Sequence, residues 1–422
     1  MKGFLLAGCA AVALVGLCGP AAADTTPGKF DIKIGGDAYF TVGAVAQSYE
    51  RNTRSTEFTN RFRLQVTPKA QADNGIEYGA NLRVRAWNAD GRLDADQAYI
   101  FVGGNFGRIE GGVTPGPNNQ YGVTAPSGFG TGGVVGDWSE GPGVNTWLNN
   151  QATFLEPIVG GGYNNITNTN WSSKLNYFTP RFFGQSGGPD DAPSGLMGML
   201  SFAPSNLSIN TDVTRTRSMT ALAPAQSECG SFDSSGPVMG CRYDNVWEVG
   251  ARYDGTFGGF SLSGSAGFIQ GGARSTGIAA TRTNYNDLQA VQFGGQVGYA
   301  GFLVGGSYLN AGNSGYAKTR GLFLTDQSAI TAGISYETGP VVVGFNYAHG
   351  EDAGDVTVPG TRAANLYSIG ATYTLAPGFT TSLEYLLSNT KNERGYGADP
   401  LGNGLQNSGN ANLFLWKNAI TF

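Results

Sequence analysis

The sequence predicts a transmembrane antiparallel β-barrel of about sixteen strands. Three observations carry that reading: strict two-residue alternation of apolar and polar side chains, short turns exchanging with long polar loops, and an unusual composition. Glycine makes up 67 of 422 residues and aromatics 12 %, whereas charged residues reach only 14 %. Soluble globular domains carry roughly 25 % charged residues and about 7 % glycine. The departure suits strands that meet lipid on one face and small or polar groups on the other.

The chain opens with Lys2, an apolar run from Phe4 to Leu17 and the small triplet Ala21-Ala22-Ala23. This is the pattern of a secretory signal peptide spanning 1–23, which leaves 24–422 as one barrel domain. Beyond it no stretch approaches the ~18 to 20 consecutive apolar residues that a membrane-spanning helix needs. The net charge of −5 and the lack of a basic tail argue against a nucleic-acid partner.

Strand periodicity begins near residue 31. Phe58, Phe62, Leu64 and Val66 share one face, and Arg61, Arg63, Gln65 and Thr67 the other. After Asp73-Asn74-Gly75, Tyr78, Ala80, Leu82 and Val84 alternate with Glu77, Asn81, Arg83 and Arg85. An Asn-Gly pair between two alternating runs is a strong hairpin signal. The pattern recurs to the C-terminus, with strands expected to begin near residues 31, 58, 76, 96, 107, 172, 196, 246, 260, 288, 301, 328, 341, 364, 379 and 412. Short turns are expected at 73–75, 104–107, 254–259, 300–301, 338–340 and 376–378, with long polar loops between them. Short turns on one rim and long loops on the other are the layout of an outer-membrane barrel.

Ring closure follows from hydrogen bonding, because a strand edge in hydrocarbon would strand its N–H and C=O groups. Sixteen strands leave an aqueous lumen, and water there accounts for a second face read as small or polar throughout. Cys229 and Cys241, in a Ser/Gly-rich stretch, read as a loop disulfide. They have no His or Cys companions for zinc, and no metal or cofactor site is expected.

Three segments resemble the general bacterial porin family of Gram-negative outer membranes. Ala98 to Glu110, with Gly104-Asn105-Phe106-Gly107 at its centre, is similar to the family's hairpin before the long third loop. Leu175 to Gly184 looks like the Tyr-x-Ser-Pro-x-Phe-x-Gly stretch after that loop, and Leu413 to Phe422 like the closing strand with its terminal aromatic. The likeness covers essentially the whole exported chain. Val113 departs from it, since many relatives place an Arg there, and Asn418 interrupts the apolar side of the last strand.

The resemblance implies passive diffusion of small hydrophilic solutes and ions, a homotrimer set in outer-membrane lipid and lipopolysaccharide, and a barrel-assembly machinery that reads Phe422. It also implies that the loop from Pro115 to Asn170 folds inward and narrows the lumen. Asp137, Glu140 and Glu156 would then face a basic wall of Arg61, Arg63, Arg83 and Arg85, setting up a transverse field at a constriction. The acidic total favours cations and the arginine cluster anions; the reading inclines to cations.

The alternative is a substrate-specific channel with a saturable site, which would carry an extended basic or aromatic stripe. Enzymatic readings find little support. His349 is the single histidine, and Gly128 to Gly133 matches a dinucleotide-loop spacing without the strand-turn-helix context that loop needs. Glu351, Asp352 and Asp355 read as a solvated acidic loop. Energy-coupled transporters need a plug domain ahead of the barrel, yet here strands begin almost at once.

Overall fold

The computed structural model describes residues 29–47, 54–87, 94–136, 169, 172–184, 194–206, 232–233, 236–237, 243–273, 286–315, 318, 325–352, 361–392 and 408–422. The strands are β1 (Asp31–Gln47), β2 (Thr56–Gln71), β3 (Glu77–Trp87), β4 (Asp94–Gly104), β5 (Gly107–Val113), β6 (Ser173–Phe178) and β7 (Gly195–Ser205). A separate two-stranded pair, β8 (Phe232–Asp233) and β9 (Gly236–Pro237), follows. Then come β10 (Tyr243–Phe257), β11 (Phe260–Ala273), β12 (Leu288–Tyr299), β13 (Phe302–Gly312), β14 (Gln327–Thr338), β15 (Val341–Asp352), β16 (Arg362–Ala376), β17 (Phe379–Asn392) and β18 (Ser408–Thr421).

All but β8 and β9 close into one barrel of sixteen strands, each antiparallel to its chain neighbours in the ring, with β18 returning to β1. Each barrel strand begins no more than four residues from its predicted start. The closing ladder pairs Tyr39 with Ala419 and Thr41 with Lys417. Beyond it, Phe422 N–H donates to Gly36 O at 3.1 Å and Gly36 N–H to Phe422 O at 2.9 Å, so the last residue completes the seam.

The short turns fall within the expected segments, and the one expected at 254–259 is tighter because Asp254 to Phe257 continue β10. Gly258 and Gly259, with φ of 57° and 85°, join β10 to β11. Positive φ at both central positions is what a two-residue turn needs to match strand twist.

Alternation decides the two faces. Phe58, Phe62, Leu82, Ile100, Phe293, Ile369 and Trp416 are exposed on the outside, where lipid would cover them. Beside the short turns, Phe260 stacks on Tyr299 and Phe302 leans on Tyr336, both with centroids 4.4 Å apart. Tyr347 and Tyr367 pair at 5.0 Å toward the other rim. These are the two aromatic girdles expected where lipid meets water.

The inner face corrects one expectation. It is not small or polar along its whole length: Ile269, Leu288, Leu309, Leu366, Leu386, Leu413 and Leu415 point inward toward the long-loop end and are fully buried. They form one apolar cluster with Val134. Period two reports which residues share a face, but not whether the inner face meets water at every height.

Candidate functional site

On the short-turn half of the lumen, β1 to β5 and β18 line a recess of about 880 Å³. Arg61, Arg63 and Arg83 lie on this wall, with Arg85 beside them. Their partners are carboxylates that the sequence reading did not select. Arg63 Nε donates to Asp37 Oδ1 at 2.6 Å, and Arg61 Nη2 to Asp37 Oδ2 at 3.0 Å. Arg83 forks onto both oxygens of Asp96 at 2.8 Å, and Arg85 Nη1 lies 3.4 Å from Asp96 Oδ2. Charge-assisted, bidentate contacts of this kind fix guanidinium orientation.

Asp37 faces the arginines because β1 pairs with β2 in the register Asp37 to Arg63. Asp96 reaches them through an irregularity. The β3–β4 register runs Arg83 to Gln97 and then Val84 to Ala95, so Asp96 is the extra residue of a bulge. A bulge re-aims a side chain that strict alternation would misplace.

Aromatic rings floor the same recess. Arg61 Cζ lies 4.7 Å and Lys417 Nζ 4.9 Å from the Tyr39 centroid, and Arg108 Cζ sits 3.9 Å above Phe101. Cations over aromatic faces are held by the ring quadrupole.

Residues 114–136 leave β5 and run along inward side chains of the opposite strands. They include the short helix α1 (Pro117–Tyr121) and a 3-10 turn, Gly133–Val135. At the near end Asn118 Nδ2 donates to Glu248 Oε2 at 3.2 Å, while Thr169 Oγ1 also donates to Glu248. Lys174 Nζ donates to Thr114 O and, at 2.8 Å, to Ser172 O. Val123 N–H reaches Ser265 Oγ at 2.8 Å, Gln296 Nε2 reaches Thr124 O at 2.8 Å, and Asn346 Nδ2 reaches Pro126 O at 2.7 Å. At the far end the Thr131 N–H and hydroxyl both donate to Glu384, which also accepts from Ser368. Burial, reinforced by the Glu110 carboxylate, pushes the Tyr121 phenol above its ordinary range, so Tyr121 stays an uncharged ring against Phe178.

Glycines make room for this track. A Cβ at Gly294 would lie 1.7 Å from Val123 O, one at Gly267 would lie 2.1 Å from Asn118 Oδ1, and one at Gly344 would lie 2.0 Å from the Phe129 ring. Glycine inside a strand often marks such a close approach. Phe129 is completely buried there. The high glycine content was visible in the sequence; which strand glycines face the track was not.

Asp137, Glu140 and Glu156 lie outside the described residues, as do Cys229, Cys241 and the segment 1–23. The described part of the loop, 114–136, contains no charged residue. Phe422 is exposed, with its ring 6.0 Å from that of Phe62 on the outward face. His349 contacts Asn365 at 2.9 Å and Glu351 at 3.1 Å near the long-loop rim. Among the described residues no group of three or more His, Cys, Asp or Glu could hold a metal, and no helix is long and apolar enough to cross a membrane.

Comparison with known proteins agrees with this geometry. A family model described as Gram-negative porin matches residues 10–393. No curated protein sequence matches the chain. Among solved structures, the in-vitro folded trimer form of OmpT, an outer membrane protein of Vibrio cholerae, is 13 % identical with a TM-score of 0.53, over 93 % of this chain and 99 % of that one. A mutant of the Rh. blastica porin is 15 % identical with a TM-score of 0.52, over 93 % and 100 % of the two chains.

Proposed function

Because the chain belongs to the Gram-negative porin family and forms a channel barrel of the outer membrane, we propose that it passes small hydrophilic solutes and ions by diffusion through a lumen narrowed by residues 114–136. The observation that carries this reading is the chain of hydrogen bonds from Glu248 through Asn346 to Glu384, which holds that segment against the inner wall. Each bond satisfies a buried polar group that would otherwise be costly to dehydrate, so the segment rests in one place. Arg61, Arg63, Arg83 and Arg85 form the basic wall of the constriction in this reading. Asp137, Glu140 and Glu156 belong to the remainder of the loop, and their place opposite the arginines is part of the proposal. The reading needs no catalytic group and no cofactor.

The proposal extends to assembly. Residues 1–23 act as the signal peptide, Cys229 and Cys241 form a loop disulfide, and the assembly machinery recognises Phe422 on the outward face. The protein forms a homotrimer surrounded by outer-membrane lipid and lipopolysaccharide. Support for a protein-covered face comes from one outward row across β17, β18, β1 and β2, where Thr381, Asn418, Phe40 and Asn60 are successive cross-strand partners. Amide side chains are costly in hydrocarbon, and a second copy of the chain would shelter them.

The test is liposome swelling with sugars of graded size. Purified protein should admit small sugars at rates that fall smoothly with solute size and do not saturate. Tight liposomes would defeat the channel reading. Saturation by one sugar would favour a substrate-specific channel.

A further inference from the structure

The outward face of β13 to β18 is not evenly filled. Between the side chains of Phe302, Tyr336, Val343, Phe345, Ile369 and Leu383 runs a groove of about 600 Å³. Its floor is the backbone of Gly344 and Gly370, partners across β15 and β16, beside the small Ala371. The polar residues beneath it turn away: Ser335 is buried, and Glu384 accepts from Thr131 and Ser368 on the lumen side. The groove opens at the short turns, where Phe302 begins β13 and leans on Tyr336. It climbs to Tyr385, six residues beyond the start of β17 at Phe379. At ~3.4 Å per residue and a strand tilt of about 40°, that climb is about 15 Å, half of a hydrocarbon core of about 30 Å. The groove therefore has the depth of one leaflet, the one on the short-turn side.

We propose that this groove seats an acyl chain of a diacyl phospholipid whose headgroup is zwitterionic and carries an ammonium. The inference rests on the reading that lipid surrounds the barrel, and it names one lipid that stays. Lipid tails are as apolar as leucine, so a flat outer wall holds no chain in particular and association depends on packing. A chain laid in a groove meets carbon along its sides and beneath it, and gains dispersion contacts that a smooth wall does not offer. A second copy of the chain fits less well here. The amide-bearing row that a copy would shelter lies on β17, β18, β1 and β2, whereas the groove walls are hydrocarbon and ring carbon apart from tyrosine hydroxyls. Headgroup choice follows from charge. From residue 288 to residue 381 the described short-turn ends of the strands carry one charged side chain, the exposed Glu337. No lysine or arginine stands there to hold a net anionic headgroup, and an ammonium meets Glu337.

The experiment is native mass spectrometry of the full mature protein in mild detergent, titrated with dipalmitoyl phosphatidylethanolamine or dipalmitoyl phosphatidylglycerol. The expected result is one lipid per protomer that persists when the detergent is stripped, with the ethanolamine form retained about two- to fivefold over the glycerol form, as one exposed ion pair would give. Ala371→Phe, which fills the groove, should lose the retained lipid. Ala332→Phe adds the same bulk at an exposed position of β14 outside the groove and should keep it. The lipid series on the unaltered protein is decisive by itself, so a variant that failed to fold would not obscure the outcome. No retained lipid, retention indifferent to Ala371→Phe, or a preference for the glycerol form would overturn the proposal. Loss of oligomers in Ala371→Phe, with no lipid held by the parent, would overturn it in favour of a second copy. Liposome swelling separates this proposal from the porin reading: sugar passage by a protein that holds no lipid defeats the proposal alone, and tight liposomes around a lipid-holding protein defeat the channel reading alone.

Discussion

Asp37 accepts a hydrogen bond from Arg63 Nε at 2.6 Å across the first strand pair, and with it the basic wall of this lumen becomes a mixed, oriented array. An arginine row read alone suggests bare positive charge. Interleaved with Asp37 and Asp96, each guanidinium has a fixed direction and the wall keeps a net positive sign.

Asp37→Asn should therefore strengthen anion preference. Losing one partly screened carboxylate partner is worth about 0.5–1 kcal/mol, which changes an ion permeability ratio by about two- to fivefold. Reversal potentials in a salt gradient measure it, and an unchanged ratio would remove Asp37 from the conduction path.

Gly344→Ala should dislodge Phe129, because the added Cβ would fall 2.0 Å from its ring. Overpacking of this kind costs about 1–3 kcal/mol. Single-channel traces should become noisier and conductance should rise as residues 114–136 lose their seat. Gly128→Ala is the control, since nothing lies within 4 Å of a Cβ there.

Glu384→Gln should loosen the far end of the same segment. One carboxylate oxygen accepts from the Thr131 N–H and hydroxyl and the other from Ser368, and a glutamine keeps an acceptor on one of these sides while its amide nitrogen cannot accept on the other. Each hydrogen bond of this type contributes about 0.5–1.5 kcal/mol. The readout is the frequency of spontaneous partial closures, and traces identical to the parent would show that Glu384 does not anchor the segment.

Deleting Phe422 should impair barrel closure and recognition together. Two backbone hydrogen bonds to Gly36 and the ring contact with Phe62 disappear. Heat-modifiable electrophoresis of outer-membrane fractions should show less folded protein, and an undiminished folded band would rule out both roles.

Much of the fold was legible because a barrel strand states its faces every second residue. Phe58 to Thr67 and Ile76 to Val84 declare outside and inside without reference to the rest of the chain, and the Asn74-Gly75 turn fixes their register. The carboxylate partners were not legible. Asp37 meets Arg63 only through a pairing across a loop whose path no local signal sets, and Asp96 sits at a bulge where alternation breaks. The anchors Glu248 and Glu384 carry no local signal, because their partners Asn118 and Thr131 lie 130 and 253 positions away. The buried leucines of the inner face escaped for the complementary reason: alternation separates in from out and is silent about what fills the inside.

The account stands on inward residues meeting water while their neighbours meet lipid. Thiol labelling tests it directly, in a protein carrying Cys229→Ser and Cys241→Ser and reconstituted in liposomes. Gln65→Cys, on the lumen face, should react promptly with a water-soluble maleimide, whereas Ile100→Cys, on the exposed apolar face, should stay unlabelled until the protein is unfolded. Equal labelling of the two, or the reverse order, would contradict a water-filled barrel with this register.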